Sequence, residues 1–144
     1  MIETVDIDIR QHRKEDEACI YSSWLKSYRK SVSLDGVHND VYFPEHTKII
    51  ADILDRSFSY MIVDPSDENH IFGYAVVEHL GKNDVIHFVY IKQPYRRMGL
   101  LKLLIEKVIE GFGKRTIFIS HLPKNYHYLN KKYNLYYNPY LQRG

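Results

Sequence analysis

The sequence predicts an α/β (α+β) fold in which helices cover one mixed β-sheet. Two stretches with the three- and four-residue apolar spacing of a helix lie before residue 57. After residue 57, short β-type apolar runs alternate with tight turns, and a strand–helix–strand unit follows. The 144 residues contain no linker-like stretch and no repeat, so we expect one domain over residues 1–144.

The first half of the chain contains both of these predicted helices. Alternating apolar residues at positions 5, 7 and 9 predict an initial strand, and the apolar spacing from Glu15 to Lys30 predicts the first helix. Ser31–Phe43 has no clear periodicity and is predicted to be a loop. Pro44 can occupy the first position of a helix without losing a hydrogen bond, so we expect the second helix to begin there.

Turn-forming residues divide the second half of the chain into shorter elements. The segments Pro65–Asn69 and Gly81–Asp84 are typical of turns between strands. The predicted elements are the strands Ser59–Val63, Ile71–His79 and Val85–Ile91, a helix from Leu100 to Phe112, a strand Thr116–Ser120, a helix Lys124–Tyr133 and a last strand Leu135–Leu141.

The composition excludes several classes of protein. With 44% hydrophobic and 26% charged residues, the chain is neither disordered nor collagen-like. Its apolar runs are far shorter than the roughly 20 residues that cross a bilayer, so we expect no membrane partner. The single cysteine, Cys19, favours a reducing and hence cytoplasmic location.

The net charge of +2 conceals an uneven distribution. Residues 1–72 hold 14 acidic and 8 basic side chains, whereas residues 73–144 hold 4 acidic and 12 basic ones. This asymmetry predicts that a polyanion binds to the second half. Nucleic acid is the less favoured polyanion, because the tyrosines of the basic tail after Leu122 are expected to pack against the sheet.

One segment, Val85–Leu104, combines features that suit phosphate binding. It reads as a buried strand, a short basic loop with one glycine, and an amphipathic helix. The first turn of a helix has unpaired N–H groups and the positive end of the helix dipole. Arg96, Arg97 and Lys102 add positive charge there, and Gly99 allows close approach to the backbone. An ordinary strand-to-helix turn with a solvated basic face is the alternative interpretation.

This segment resembles the cofactor motif of the GNAT superfamily of N-acetyltransferases, Gln/Arg-x-x-Gly-x-Gly/Ala. Arg96 matches the first position and Gly99 the first glycine, whereas Leu101 replaces the second small residue. The order of the predicted elements is also similar to that of the family. The resemblance implies a mixed, mostly antiparallel central sheet flanked by about four helices.

The resemblance also implies acetyl-CoA as the acetyl donor. The backbone of the strand would pair with the pantetheine arm, and an N–H of that strand, such as that of Val89, would bond to the thioester oxygen. The loop and the start of the helix would hold the pyrophosphate. The cofactor-binding residues implied in this way are Val89, Tyr90, Ile91, Arg96, Arg97, Met98, Gly99, Leu100, Leu101 and Lys102.

A second resemblance to the family lies near the C-terminus. Residues 129–135 are similar to its Leu-Tyr-x-Lys-x-Gly-Phe pattern, with Asn134 at the glycine. Asn130 stands at the position of the tyrosine that often protonates the departing thiolate, and asparagine cannot replace that acid. We therefore expect Tyr128, or else the neighbouring Tyr126, to be the general acid.

Acetyl transfer to an amine needs a base, because an alkyl ammonium has a pKa of about 10.4 and is no nucleophile. His87 is the only polar residue of Val85–Ile91, and strict alternation would place it on the face of Val89 and Ile91. We expect His87 to be that base; the alternative is a buried histidine satisfied by hydrogen bonds. Other candidates are Glu78, His79 and His121. The eight histidines lack metal-site spacing, so no metal is expected.

These observations predict an acetyl-CoA-dependent N-acetyltransferase. The acceptor would be a primary amine of a small molecule, or a protein lysine or N-terminus, with Asp35 and Asp40 in the loop that helps to bind it. The alternative is an inactive binding module of the same fold that contacts nucleic acid or a partner protein. The sequence leaves the oligomeric state open between a monomer and a homodimer.

Overall fold

The computed structural model describes residues 6–31, 34–81, 83–96, 98–112, 116–122 and 126–142, without the side chains of residues 111, 112 and 126–128. Within these ranges, the 3-10 turns Lys14–Asp16, Gln93–Tyr95 and Pro139–Gln142 accompany ten regular elements. These elements are β1 (Asp8–Gln11), α1 (Glu17–Arg29), α2 (Asn39–Arg56), β2 (Phe58–Asp64), β3 (Asp67–Leu80), β4 (Asn83–Ile91), α3 (Leu100–Phe112), β5 (Ile117–Ile119), α4 (Tyr126–Tyr133) and β6 (Leu135–Tyr137).

The six strands form one sheet in the order β1–β2–β3–β4–β5–β6. Strands β1 to β4 pair in antiparallel fashion, whereas β4–β5 and β5–β6 are parallel because α3 and α4 connect them. A mixed and mostly antiparallel sheet with four helices confirms the predicted fold class.

Each face of the sheet carries its own hydrophobic core. One core joins the apolar faces of α1 and α2 to the sheet, and the other joins α3 and α4 to it. In the first core, Trp24 is fully buried and stacks on Phe88 with ring centroids 4.9 Å apart. The buried residues of α1 are Ile20, Trp24 and Tyr28, at four-residue steps along one face of the helix.

The start of α2 differs from the prediction. The helix begins at Asn39, inside the segment predicted as a loop, and Pro44 lies within it and not at its first position. The His38 side chain caps the helix by accepting a hydrogen bond from the Asp40 N–H (3.0 Å), which allows the first turn to form five residues before the proline. Among the described helices, none is long and apolar enough to cross a membrane.

The last strand is shorter than predicted. β6 ends at Tyr137, and a 3-10 turn over Pro139–Gln142 replaces the second half of the predicted strand Leu135–Leu141. Pro139 has no N–H to give to a strand ladder, so the pairing stops before it.

A bulge in the β3–β4 pairing changes the orientation of His87. Val76 pairs with Phe88 and Val77 pairs with Ile86, so His87 is an extra residue without a partner in the register. Ile86, like Val89, therefore packs in the α3 core, whereas His87 reaches Glu78 on the α2 side. The expected shared face of His87, Val89 and Ile91 was wrong, because strict alternation does not hold across a bulge.

Candidate active site

The central strand β4 has an open backbone edge at its C-terminal end. Its parallel pairing with β5 covers Asp84–Ile86 and ends there, apart from a hydrogen bond from the Ser120 N–H to the Ile86 carbonyl (3.4 Å). Beyond this point, residues 88–91 pair with β3 on one side, and residues 87–91 border a cavity of about 560 Å³ on the other. The divergence of β4 and β5 thus leaves room for an extended ligand along β4.

The N-terminus of α3 lies at the same cavity. Gly99 has φ +77°, and its carbonyl accepts the Leu103 N–H (3.1 Å), so the N–H groups of residues 100–102 precede this bond. A Cβ added at Gly99 would meet no atom within 4 Å. The loop therefore presents backbone N–H groups and open space, which is the arrangement that anion binding requires.

The basic side chains near this loop have different roles. The Arg96 Nε donates a hydrogen bond to the Ile91 carbonyl (2.8 Å), and its guanidinium lies 5.7 Å from the centre of the Tyr90 ring. Arg96 therefore also fixes the end of β4. Lys102 is exposed and lines the cavity.

Most of the expected cofactor residues meet at this cavity. Met98 instead packs against the α3 core, and Arg97 lies outside the described residues. The residues that line the cavity as expected are Val89, Tyr90, Ile91, Arg96, Gly99, Leu100, Leu101 and Lys102.

His87 borders the inner end of the cavity but is fully buried. Its Nε2 lies 2.8 Å from Glu78 Oε1, and its Nδ1 lies 2.6 Å from Ser120 Oγ. Burial lowers the pKa of His87 to about 3, so the ring is neutral at physiological pH. Both ring nitrogens have partners, and a substrate amine has no direct access to either of them.

Two further histidines continue this buried hydrogen-bond chain. His121 Nδ1 lies 2.9 Å from Ser120 Oγ, and His121 Nε2 lies 2.8 Å from the Nε2 of His46 on α2. Burial lowers the pKa of His46 to about 4 and that of His121 well below its ordinary value. No group of three or more His, Cys, Asp and Glu side chains within the described ranges is arranged to hold a metal ion.

At its other end, the chain reaches a buried carboxylate. Burial raises the pKa of Glu78, and the attraction of Arg56, whose Nε donates to Glu78 Oε1 (3.0 Å), offsets part of this effect. Arg56 also pairs with Asp52 and donates to the carbonyls of Leu141 and Gln142. Glu78 was among the candidates from the sequence, but its role as a partner of His87 depends on the pairing of β3 and β4.

One tyrosine at the cavity was not predicted from the sequence. Tyr133 lines it, and the Tyr133 hydroxyl is buried without a hydrogen-bond partner in the described part of the chain. The side chains of the expected acids Tyr128 and Tyr126 lie outside the described residues. Asn130 instead donates a hydrogen bond to the Leu135 carbonyl, and Asn134 has φ +58°, as its match to the family glycine predicted.

A smaller cavity of about 320 Å³ adjoins the first through Tyr28, which lines both. Its walls come from α1, α2, the segment between them and the chain after β6. Glu45, His46 and Gln142 are its polar members, and the apolar and aromatic ones are Tyr28, Leu34, Val37, Val41, Tyr42, Ile49, Tyr137 and Pro139. Of the two expected acceptor residues, Asp40 lies in the first turn of α2, and neither Asp35 nor Asp40 is among these lining residues.

Comparison with known proteins defines the class of the protein. Residues 17–127 match the sequence model of the acetyltransferase (GNAT) family. Because this match covers most of the chain, the protein belongs to that family, for which acyl transfer is the implied reaction. No curated protein sequence matches the chain.

Solved structures share the fold at low sequence identity. A presumed acetyl transferase from Pyrococcus furiosus superposes with a TM-score of 0.71 at 13% identity, over 89% of this chain and 92% of that one. A GNAT-family acetyltransferase from Staphylococcus aureus Mu50 gives 0.63 at 15%, over 88% and 82%. The ribosomal-protein-S18-alanine N-acetyltransferase of Escherichia coli gives 0.62 at 15%, over 90% and 76%.

Proposed function

We propose that the protein transfers an acetyl group from acetyl-CoA directly to a primary amine. The observation that carries the proposal is the open β4 edge, which leads along one cavity to the N-terminus of α3. An extended, amide-containing arm that ends in a pyrophosphate matches both features. Acetyl-CoA would supply a thioester carbonyl that an amine can attack.

The residues of this chain would bind acetyl-CoA in two places. The backbone of Val89–Ile91 would pair with the pantetheine amides, and the Val89 N–H would orient the thioester oxygen and stabilise its developing negative charge. The N–H groups of Gly99–Lys102 would hold the pyrophosphate, with Lys102 as a counter-charge, and we keep Arg97 and Met98 in this group. Leu101 can supply its N–H in spite of its branched side chain.

We propose Tyr133 as the acid that protonates the CoA thiolate, with Tyr128 as the alternative. A buried hydroxyl at the cavity without a partner among the described residues is free to donate to a ligand. Tyr133→Phe removes that proton and little else, and Tyr128→Phe is the matched control. If only Tyr128→Phe lowers kcat, the assignment passes to Tyr128.

The smaller cavity is our proposed acceptor site. Its apolar and aromatic walls favour an amine with a hydrophobic body, and the carboxylate of Glu45 favours a cation. A small-molecule amine of this kind fits a volume of about 320 Å³, as does a peptide N-terminus with a small first residue. Nucleic acid is not a proposed partner, and we keep a single domain and a cytoplasmic location as predictions.

A specific observation supports one alternative, an inactive binding module of the same fold. The Asn130 side chain stands where the family has its acidic tyrosine and holds the Leu135 carbonyl instead. If no other tyrosine replaces that acid, turnover is lost while binding remains.

Two measurements separate these functions. Calorimetry with acetyl-CoA tests the cavity, and thiol release then tests turnover with arylalkylamines, alkylamines, polyamines, a lysine peptide and a peptide with an N-terminal alanine. Acetyl-CoA binding with thiol release supports the enzyme, with the largest kcat/KM expected for a hydrophobic amine. Binding without thiol release supports the module, and no binding at millimolar acetyl-CoA refutes both.

A further inference from the structure

A chain of buried polar side chains connects the smaller cavity with a carboxylate on the opposite side of β4. We propose that this chain is a proton relay that removes the proton of the acceptor amine, an inference that rests on the proposed acetyl transfer. From entry to exit, its members are His46, His121, Ser120, His87 and Glu78.

Arg56 determines the direction of the hydrogen bonds in the relay. A guanidinium only donates, so Glu78 Oε1 accepts from Arg56 Nε and, as a carboxylate, also accepts from His87 Nε2–H. His87 Nδ1 then carries no proton and must accept from the Ser120 hydroxyl, 2.6 Å away.

The same constraint continues beyond Ser120. Ser120 Oγ has used its only proton and therefore accepts from His121 Nδ1–H (2.9 Å). His121 Nε2 is then unprotonated and accepts from His46 Nε2–H (2.8 Å). Every hydrogen in the chain thus points towards Glu78, as unidirectional proton transfer requires.

The two ends of the relay lie where a proton can enter and leave. His46 lines the smaller cavity, and because its Nε2 is engaged with His121, its Nδ1 is the entry atom, reached directly or through one water. Glu78 forms an ion pair with Arg56, and Arg56 in turn pairs with the exposed Asp52 at the surface of α2. The three histidines of the relay are neutral, so each can accept one proton while donating another.

The transfer balances in atoms and charge. An N–H bond of the protonated amine, an ammonium, breaks and an H–Nδ1 bond forms on His46. The His46 Nε2 proton moves to His121 Nε2, the His121 Nδ1 proton to Ser120 Oγ, and the Ser120 proton to His87 Nδ1. The His87 Nε2 proton then moves to Glu78, which becomes a neutral carboxylic acid and releases it to solvent. The amine nitrogen keeps the electron pair that forms the amide bond.

This relay gives His87 a role that its burial otherwise denies. From the sequence we expected His87 to be the base. Its buried side chain cannot touch an amine, but it can pass on a proton that enters at His46. Buried polar groups need hydrogen-bond partners for stability alone, and the contacts themselves fix the direction of donation. Loss of turnover in folded variants is therefore what distinguishes a relay from a structural cluster.

Two variants and a matched control test the relay. Glu78→Gln keeps an oxygen that accepts from Arg56 and His87 but cannot take up a proton. Ser120→Ala removes the central hydroxyl, and Ser59→Ala makes the same change at a buried serine of β2 outside the chain. Neither Glu78 nor Ser120 is among the lining residues of the larger cavity. We therefore expect kcat to fall at least tenfold in both relay variants, with an unchanged KM for acetyl-CoA.

Nuclear magnetic resonance of the ligand-free protein provides a test that needs no turnover. Long-range ¹⁵N–¹H correlations report which nitrogen of each ring is protonated, and we expect Nε2–H for His46 and His87 but Nδ1–H for His121. Any other set of tautomers overturns the relay. If the wild type is active and both relay variants keep its full kcat, the relay is also overturned, but the acetyltransferase function stands. Wild-type acetyl-CoA binding without thiol release for any amine overturns the proposed function and, with it, this use of the chain.

Discussion

The prediction most directly tied to the proposed phosphate loop concerns a charge at Gly99. Gly99→Glu places a side chain on a residue with φ +77°, where an added Cβ has no neighbour within 4 Å. The steric cost is therefore limited to the left-handed backbone, about 1 kcal/mol of folding free energy. The carboxylate would lie beside the pyrophosphate. At about 6 Å, one pair of unit charges repels by roughly 3 kcal/mol at an effective dielectric constant of about 20, and by about 0.7 kcal/mol in water.

We therefore expect acetyl-CoA affinity to fall by about 2 kcal/mol, or roughly 30-fold, in Gly99→Glu. The matched control is Gly81→Glu, because Gly81 also has a positive φ (+55°) and an added Cβ there would meet no atom within 4 Å, but it lies in the β3–β4 turn. Gly99→Ala separates backbone strain from charge and should bind almost as the wild type does. Calorimetric Kd values at low and high salt are the assay, and the defect should shrink with salt. Equal Kd values for the two glutamate variants would refute the placement of the pyrophosphate.

Three further predictions concern stability. Burial lowers the pKa of His46 to about 4 and that of His87 to about 3, so below pH 6.5 the unfolded chain binds more protons than the folded one. Urea unfolding should therefore show that each histidine lowers the free energy of unfolding by about 2 kcal/mol at pH 5. Equal free energies of unfolding at pH 7.5 and pH 5 would contradict this. Ser59→Ala should stabilise the fold by about 1 kcal/mol, because the buried Ser59 hydroxyl has no partner among the described residues; a lower urea midpoint contradicts this. Gly73→Ala should destabilise it by about 1–3 kcal/mol, because a Cβ would lie 2.4 Å from the Tyr90 carbonyl oxygen; an unchanged urea midpoint contradicts this.

Local patterns in the sequence were sufficient for most of the fold. The apolar spacing of α1 and α3, the turn residues between β2, β3 and β4, and the glycine before α3 all depend on neighbours within a few residues. Each of these elements lies within a few residues of its predicted position. The family resemblance added the cofactor and the candidate roles around Gly99, which periodicity alone does not specify.

The features that were missed depend on contacts between distant residues. The bulge at His87 arises from the register of β3 against β4, and no local signal in Val85–Ile91 marks it. His46 and His121 are 75 residues apart and meet only because α2 packs beside the end of β5. The early start of α2, in contrast, depends on a local contact. It was missed because His38, whose side chain caps the helix, is not one of the usual capping residues.

The open edge of β4 has a consequence for how the protein behaves when it is concentrated. Unpaired backbone groups at the edge of a sheet attract any extended chain, including a segment of another copy of the same protein. The edge at residues 87–91 borders the larger cavity and not a neighbouring strand, so a segment of another copy can pair with it whenever that cavity is empty. A ligand that pairs with the edge would also shield it, and we expect acetyl-CoA to improve colloidal stability as well as the free energy of unfolding.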